Sequence, residues 1–139
     1  MKLIYLSIAV FCCISLLSCD VEKNKTTNEL EKSVSMNDGK LLRHIVLFKF
    51  KSEVTAAQIE KVEKAFAGLP QKIDEIKGFE WGLNNSPENL NKGFTHGFLL
   101  TFDSEEGRDI YLPHPDHKAF GEIVDPILED VFVLDYWTN

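Results

Sequence analysis

Residues 40–139 spell out an α+β fold in which an antiparallel sheet carries helices on one face. Short runs of β-branched and aromatic residues show period-two patterning, amphipathic stretches with a period near 3.6 lie between some of them, and caps or prolines stand where one pattern gives way to the other. The resulting order is strand, helix, strand, strand, helix, strand.

The first strand is RHIVLFKF, Arg43 to Phe50. One side carries His44, Val46, Phe48 and Phe50, and the other sets Ile45 and Leu47 between Arg43 and Lys49, so both sides are largely apolar. A helix follows, because Thr55 with Gln58 fits a capping box, Ile59, Val62, Phe66 and Leu69 recur at helical spacing, and Gly68 with Pro70 supplies a stop. FEWGL, Phe79 to Leu83, alternates as a second strand, and NNSPENLNKG, Asn84 to Gly93, has the composition of a loop. The third strand, FTHGFLLTF, places His96, Phe98, Leu100 and Phe102 on one side and Gly97 and Leu99 on the other. Asp103 or Ser104 can cap a short helix that runs to about Tyr111 and is stopped by Pro113. Pro115 suits the first position of a new helical piece carrying Phe120, Ile123, Val124 and Ile127, which Pro126 kinks or ends before the last strand, VFVLDYW.

This βαββαβ order is the ferredoxin-like split βαβ arrangement. Its helices cover one face of the sheet, yet the first and third strands are apolar on both sides. A second copy packed sheet to sheet across a two-fold axis is the simplest cover, so the expected assembly is a homodimer forming a dimeric α/β barrel.

The stretch YLPHPDH, Tyr111 to His117, concentrates ionisable groups. In an unbroken helix a six-residue step turns through about 600°, leaving Tyr111 and His117 some 120° apart. They meet only where Pro113 and Pro115 break the helix. A neutral imidazole can then take a proton from an activated carbon while a phenol donates to the developing oxyanion. The alternative is a helix junction, with His114 extended before Pro115 and His117 satisfied by backbone. Zinc takes three or four ligands, and a His-x-x-His pair with Asp116 but without a cysteine or a second cluster is a poor match, so no metal or other cofactor is expected. His44 and His96 each open a strand; if those strands are antiparallel neighbours, the two histidines lie toward opposite ends of the sheet. Asp135, a charge within an apolar strand, is able to pair with a cationic group across the sheet or across the interface and is assigned no role.

The chain begins with Lys2 and then the uncharged run LIYLSIAVFCCISLLS, shorter than the roughly 20 residues of a membrane-spanning helix. Leu16, Leu17, Ser18 and Cys19 are similar to the lipobox of bacterial lipoproteins. Residues 1–18 are therefore expected to be a signal peptide, Cys19 the lipidated first residue and residues 20–39 a polar tether spanning about 25 Å as a flexible coil. The expected location is the bacterial cell envelope, held to a membrane through that lipid and facing periplasm or cell surface. All three cysteines, Cys12, Cys13 and Cys19, lie in this segment, which leaves the domain no thiol chemistry. Loss of Lys2 leaves 14 basic residues against 22 acidic, a change of net charge from -7 to -8, which disfavours nucleic acid as a partner.

RHIVLFKFK, GFTHGFLLTF and YLPHPDHKAFGEIVDPILEDVFVLDY together resemble the stress-responsive dimeric α/β barrel (Dabb) family over about residues 41–137. The resemblance implies the dimeric barrel. It also implies a possible chemistry, since a polyketide-cyclising member uses a tyrosine and a histidine that match Tyr111 and His117, with pocket histidines matching His44 and His96. The first expectation is a non-catalytic, stress-related or small-molecule-binding module that takes a small apolar ligand in a small apolar cavity between helices and sheet near Tyr111 and His117. The alternative is a cofactor-independent enzyme in which Tyr111 and His117 are catalytic and His44, His96 and His114 are binding residues.

Overall fold

The computed structural model describes residues 39–139; the expected signal peptide, the lipidation site Cys19 and nearly all of the tether lie outside the described residues. Strand β1 (Leu42–Phe50) leads into helix α1 (Ala56–Ala67), then strands β2 (Gly78–Leu83) and β3 (His96–Phe102), helices α2 (Glu105–Tyr111) and α3 (Pro115–Val124), and strand β4 (Leu128–Trp137). The sheet order is β2-β3-β1-β4, and every neighbouring pair is antiparallel. This is the expected ferredoxin-like architecture, with the second helical segment broken in two.

Local signals account for the boundaries. The Thr55 hydroxyl accepts from the Gln58 backbone N–H while the Gln58 side chain accepts from the Thr55 N–H, closing the capping box on α1. Ser104 caps α2 by accepting from the Gly107 N–H. Pro115 takes the first position of α3, and Pro126 sits in a 3₁₀ turn, Asp125–Ile127, after that helix ends. β4 starts three residues before the expected Val131, because that turn finishes at Ile127 and the Lys51 N–H reaches the Ile127 carbonyl at 3.0 Å, carrying the strand pairing further. β3 starts two residues later than Phe94, whose N–H closes a turn onto the Asn91 carbonyl at 2.8 Å beside Gly93 at φ 88°. That positive φ is one glycine adopts without strain.

Alternation decides what each side of the sheet faces. Leu42, His44, Val46 and Phe48 of β1 and His96, Phe98, Leu100 and Phe102 of β3 are buried under the helices. They meet Val62 and Phe66 of α1, Tyr111 of α2, and Phe120 and Val124 of α3 in a core rich in aromatic rings. Phe66 stacks on Phe98 with ring centroids 4.4 Å apart and lies 4.6 Å from Phe120.

The opposite side is also apolar. Register sets Phe132 beside Leu47, Leu134 beside Ile45 and Tyr136 beside Arg43, so these three β4 side chains point away from the helices, 44–47% exposed. Across the sheet Gly82 pairs with Gly97, which leaves a hollow of about 310 Å³ edged by Ile45 and Leu99. A ridge on one edge of this face and a hollow near the other thus stand ready for a complementary surface.

Candidate active site

The break between α2 and α3 creates the site. α2 ends at Tyr111 with Leu112 as its cap, and α3 begins at Pro115, so the chain turns sharply through Leu112–His114. The turn brings the rings of Tyr111 and His117 to 4.3 Å, a contact the straight-helix geometry forbids. His117 Nδ1 lies 2.9 Å from the Leu112 carbonyl oxygen. A carbonyl only accepts, so Nδ1 carries the proton and Nε2 of the neutral ring keeps a lone pair.

Both residues line a cavity of about 620 Å³ bounded by β1, β4, α3 and the end of α2. Its walls are largely apolar, with Val46 and Phe48 from β1, Phe120 and Val124 from α3, and Val131 and Val133 from β4. Leu112 and Phe120 line this space and do not fill it. Lys118, Glu122 and Asp125 add charge to its walls.

His44 joins the same cavity from β1. Its Nδ1 lies 2.6 Å from Asp135 Oδ1, and since a carboxylate only accepts, this ring too holds its proton on Nδ1. Arg108 Nη1 donates to the other oxygen, Asp135 Oδ2, at 3.0 Å. Burial lowers the pKa of His44 despite the pull of Asp135, and the nearby His117 and Arg108 lower it further, so the ring is neutral at pH 7. Its centroid is 5.9 Å from that of Tyr111. Tyr111 is 1% exposed, and burial raises its pKa well above the ordinary phenol value, so it stays a proton-bearing donor. A phenol therefore stands beside two imidazoles, each anchored through its Nδ1.

The other two expected binding histidines are not part of this cavity. His96 pairs with Phe48 on the ladder where His44 pairs with Leu100, so the two are separated by four ladder positions, roughly 13 Å. There His96 Nε2 donates to Glu63 of α1 at 3.1 Å and Nδ1 accepts from the Thr95 hydroxyl at 2.8 Å, which engages both nitrogens. His114 caps α3, its Nδ1 accepting from the Asp116 N–H at 3.2 Å. That interaction ties it to the helix start and away from the cavity lining. Among the described residues no group of three or more His, Cys, Asp or Glu side chains is gathered closely enough to hold a metal.

Asp135 and Arg108 are the residues that pattern alone left without a role. Asp135 had a visible signal, since one carboxylate in the apolar run VFVLDYW must find a partner when buried. Its partner required the β1–β4 register, in which His44 and Asp135 face each other across 91 residues of chain.

The chain matches the family described as the Stress responsive A/B Barrel Domain (Dabb) over residues 42–138. It is 40% identical over 95 residues to the stress-response A/B barrel domain-containing protein HS1 of Arabidopsis thaliana, covering 68% of this chain and 87% of that protein. The olivetolic acid cyclase of Cannabis sativa is 34% identical over 95 residues, covering 68% of this chain and 94% of the cyclase. Among solved structures, the hydroxynitrile lyase from Passiflora edulis superposes with a TM-score of 0.68 at 30% identity, covering 71% of this chain and 94% of the lyase. A dimeric ferredoxin-like protein of unknown function from Thermobifida fusca gives 0.62 at 31% identity, covering 73% and 93%. Sequence match and superposition both span the sheet and all three helices, and on those grounds the chain belongs to the stress responsive A/B barrel domain family.

Proposed function

We propose that this domain is a cofactor-independent enzyme that moves protons on a small, largely apolar carbonyl compound. The observation that carries the reading is the Tyr111–His117 pair, 4.3 Å apart on the wall of an open cavity of about 620 Å³. A non-catalytic module has no need of an imidazole and a buried phenol meeting at one empty space, so the enzyme alternative outranks the binding module. His117 Nε2 accepts a proton from the carbon beside the carbonyl. The C–H electron pair shifts toward the carbonyl oxygen, where the Tyr111 hydroxyl donates a hydrogen bond, and the imidazolium later returns the proton. Two relatives named as enzymes support the reading: the cyclase aligns in sequence, and the lyase superposes in structure, each over 94% of its own length.

The test is a screen of small apolar ketones, β-dicarbonyl compounds and hydroxynitriles, followed by mass spectrometry. Turnover by the wild type that disappears in Tyr111→Phe and His117→Asn is the expected result. Compounds that bind the cavity and emerge unchanged in every case would return the domain to a binding module.

The assembly we infer is a homodimer. The apolar outer face supports it, as does the dimeric relative from Thermobifida fusca. A two-fold axis parallel to the strands lays β4 of one copy over β2 and β3 of the other, so the Phe132–Leu134 ridge meets the Gly82–Gly97 hollow. Sedimentation of residues 40–139 should give a dimer that Phe132→Asp splits, and a wild-type monomer at all concentrations overturns the assembly. The location we infer is the bacterial envelope, through lipid on Cys19. Cys19→Ala is expected to release the protein from membranes, and retained attachment contradicts the lipid anchor.

A further inference from the structure

We propose that Arg108 is a positioning residue that fixes His44 as a second base of the cavity, acting through Asp135; this rests on the acid–base reading above. Four side chains close a ring through α2. Tyr111 and Arg108 stand three residues apart on that helix and so share a face. Tyr111 contacts His44, His44 donates to Asp135, and the second oxygen of Asp135 takes Arg108 Nη1 at 3.0 Å. The ring joins β1, α2 and β4, the elements that bound one end of the cavity.

The guanidinium decides which way the carboxylate turns. Asp135 is 29% exposed at its side chain and lies on an edge strand, so without Arg108 it is free to rotate toward water. With Oδ2 held, Oδ1 stays 2.6 Å from His44 Nδ1, and the proton of the neutral ring remains on that nitrogen. Nε2 is then the basic atom. Arg108 is itself steadied from its other side by Asp109, at 3.2 Å from Nη2. The charged and titratable groups around His44 are Asp135 from β4, Arg108 and Tyr111 from α2, and His117 from α3. None of the others replaces the Arg108 contact to Oδ2.

Two bases flanking one phenol have a chemical consequence. His117 and His44 reach Tyr111 from different elements, one on α3 and one on β1, so a proton removed by one imidazole is replaceable from the other side of the same bound molecule. Such a site transfers a proton between two faces of a substrate, a task one base performs only by waiting for the ligand to turn.

Long-range ¹H–¹⁵N spectra of the imidazoles report the tautomer of His44 directly and need no substrate. In wild-type protein the neutral ring is expected as Nδ1–H alone. Arg108→Gln is expected to produce a mixture with Nε2–H, whereas Asp109→Asn, which touches the same guanidinium but not Asp135, leaves His44 unchanged. Should Arg108→Gln fail to fold, Arg108→Met carries the same test, because it keeps the aliphatic stem and loses the donor to Asp135 Oδ2. A pure Nδ1–H tautomer in the Arg108 variant overturns the positioning role and leaves the enzyme reading intact. A substrate screen that fails while the tautomer shifts as described counts against the enzyme reading alone.

Discussion

His44 and His96 are buried to nearly the same degree, 5% and 7% exposed, and each holds a carboxylate, Asp135 at 2.6 Å and Glu63 at 3.1 Å. They sit at opposite ends of one antiparallel pair, on the same side of the sheet. At the His96 end both ring nitrogens are engaged, and Trp81, Phe98 and Phe50 close around the ring at centroid distances of 5.1–6.4 Å. At the His44 end one nitrogen is anchored and the ring faces an open cavity beside Tyr111 and His117. Neither burial nor a carboxylate partner makes a buried histidine useful in chemistry. The difference is a nitrogen left without a partner and a space for a reacting atom beside it.

The sharpest way to separate the two ends is to remove the proton-handling groups. With a substrate in hand, His117→Asn or Tyr111→Phe is expected to lower kcat by about 10²–10⁴-fold while the melting temperature moves little. Steady-state kinetics alongside thermal denaturation checks this pair of outcomes. Equal losses of activity and stability would erase the distinction between the ends.

The packed end should respond in the opposite sense. Phe98 is 1% exposed, and Phe98→Ala removes a ring that stacks against Phe66, so urea denaturation should show a loss of about 3–5 kcal/mol. His96→Gln should cost about 1–3 kcal/mol, from disturbing a buried hydrogen-bonded pair, and leave kcat near wild type. A collapse of kcat in His96→Gln at unchanged stability would move chemistry to the wrong end of the sheet.

The smallest expected effect is a dependence on pH. Burial lowers the folded-state pKa of His44 below its unfolded value, so the unfolded chain binds more protons as pH falls through that window. Stability that is present above about pH 6.5 is then lost on acidification toward the lowered folded pKa, with a slope of at most about 1.4 kcal/mol per pH unit. Denaturation curves from pH 7 downward should show this slope, and His44→Gln should flatten it.

The sequence disclosed much of the scaffold because its signals are local. Thr55 with Gln58, Ser104, Pro115 and Pro126 each act within a few residues, and alternation in RHIVLFKF and FTHGFLLTF is visible without knowing the partner strand. The Tyr111–His117 contact was half legible, since the prolines permitted it without showing that the rings meet. The His44–Asp135–Arg108 chain was not legible, because it depends on β1–β4 register and on which way α2 turns. A small apolar cavity near Tyr111 and His117 was expected, but its size of about 620 Å³ and its charged wall residues were not legible. An unfilled volume belongs to the packing of four elements, and no single stretch of residues records it.

The most direct test of a proton-moving cavity is exchange in heavy water. A small apolar ketone that binds residues 40–139 is incubated with the protein in D2O, and loss of the C–H signal beside its carbonyl is followed by NMR. Exchange faster than the buffer rate in wild-type protein, returned to the buffer rate by His117→Asn, is the predicted result. Binding without any acceleration of exchange, for every such ligand that enters the cavity, would contradict it.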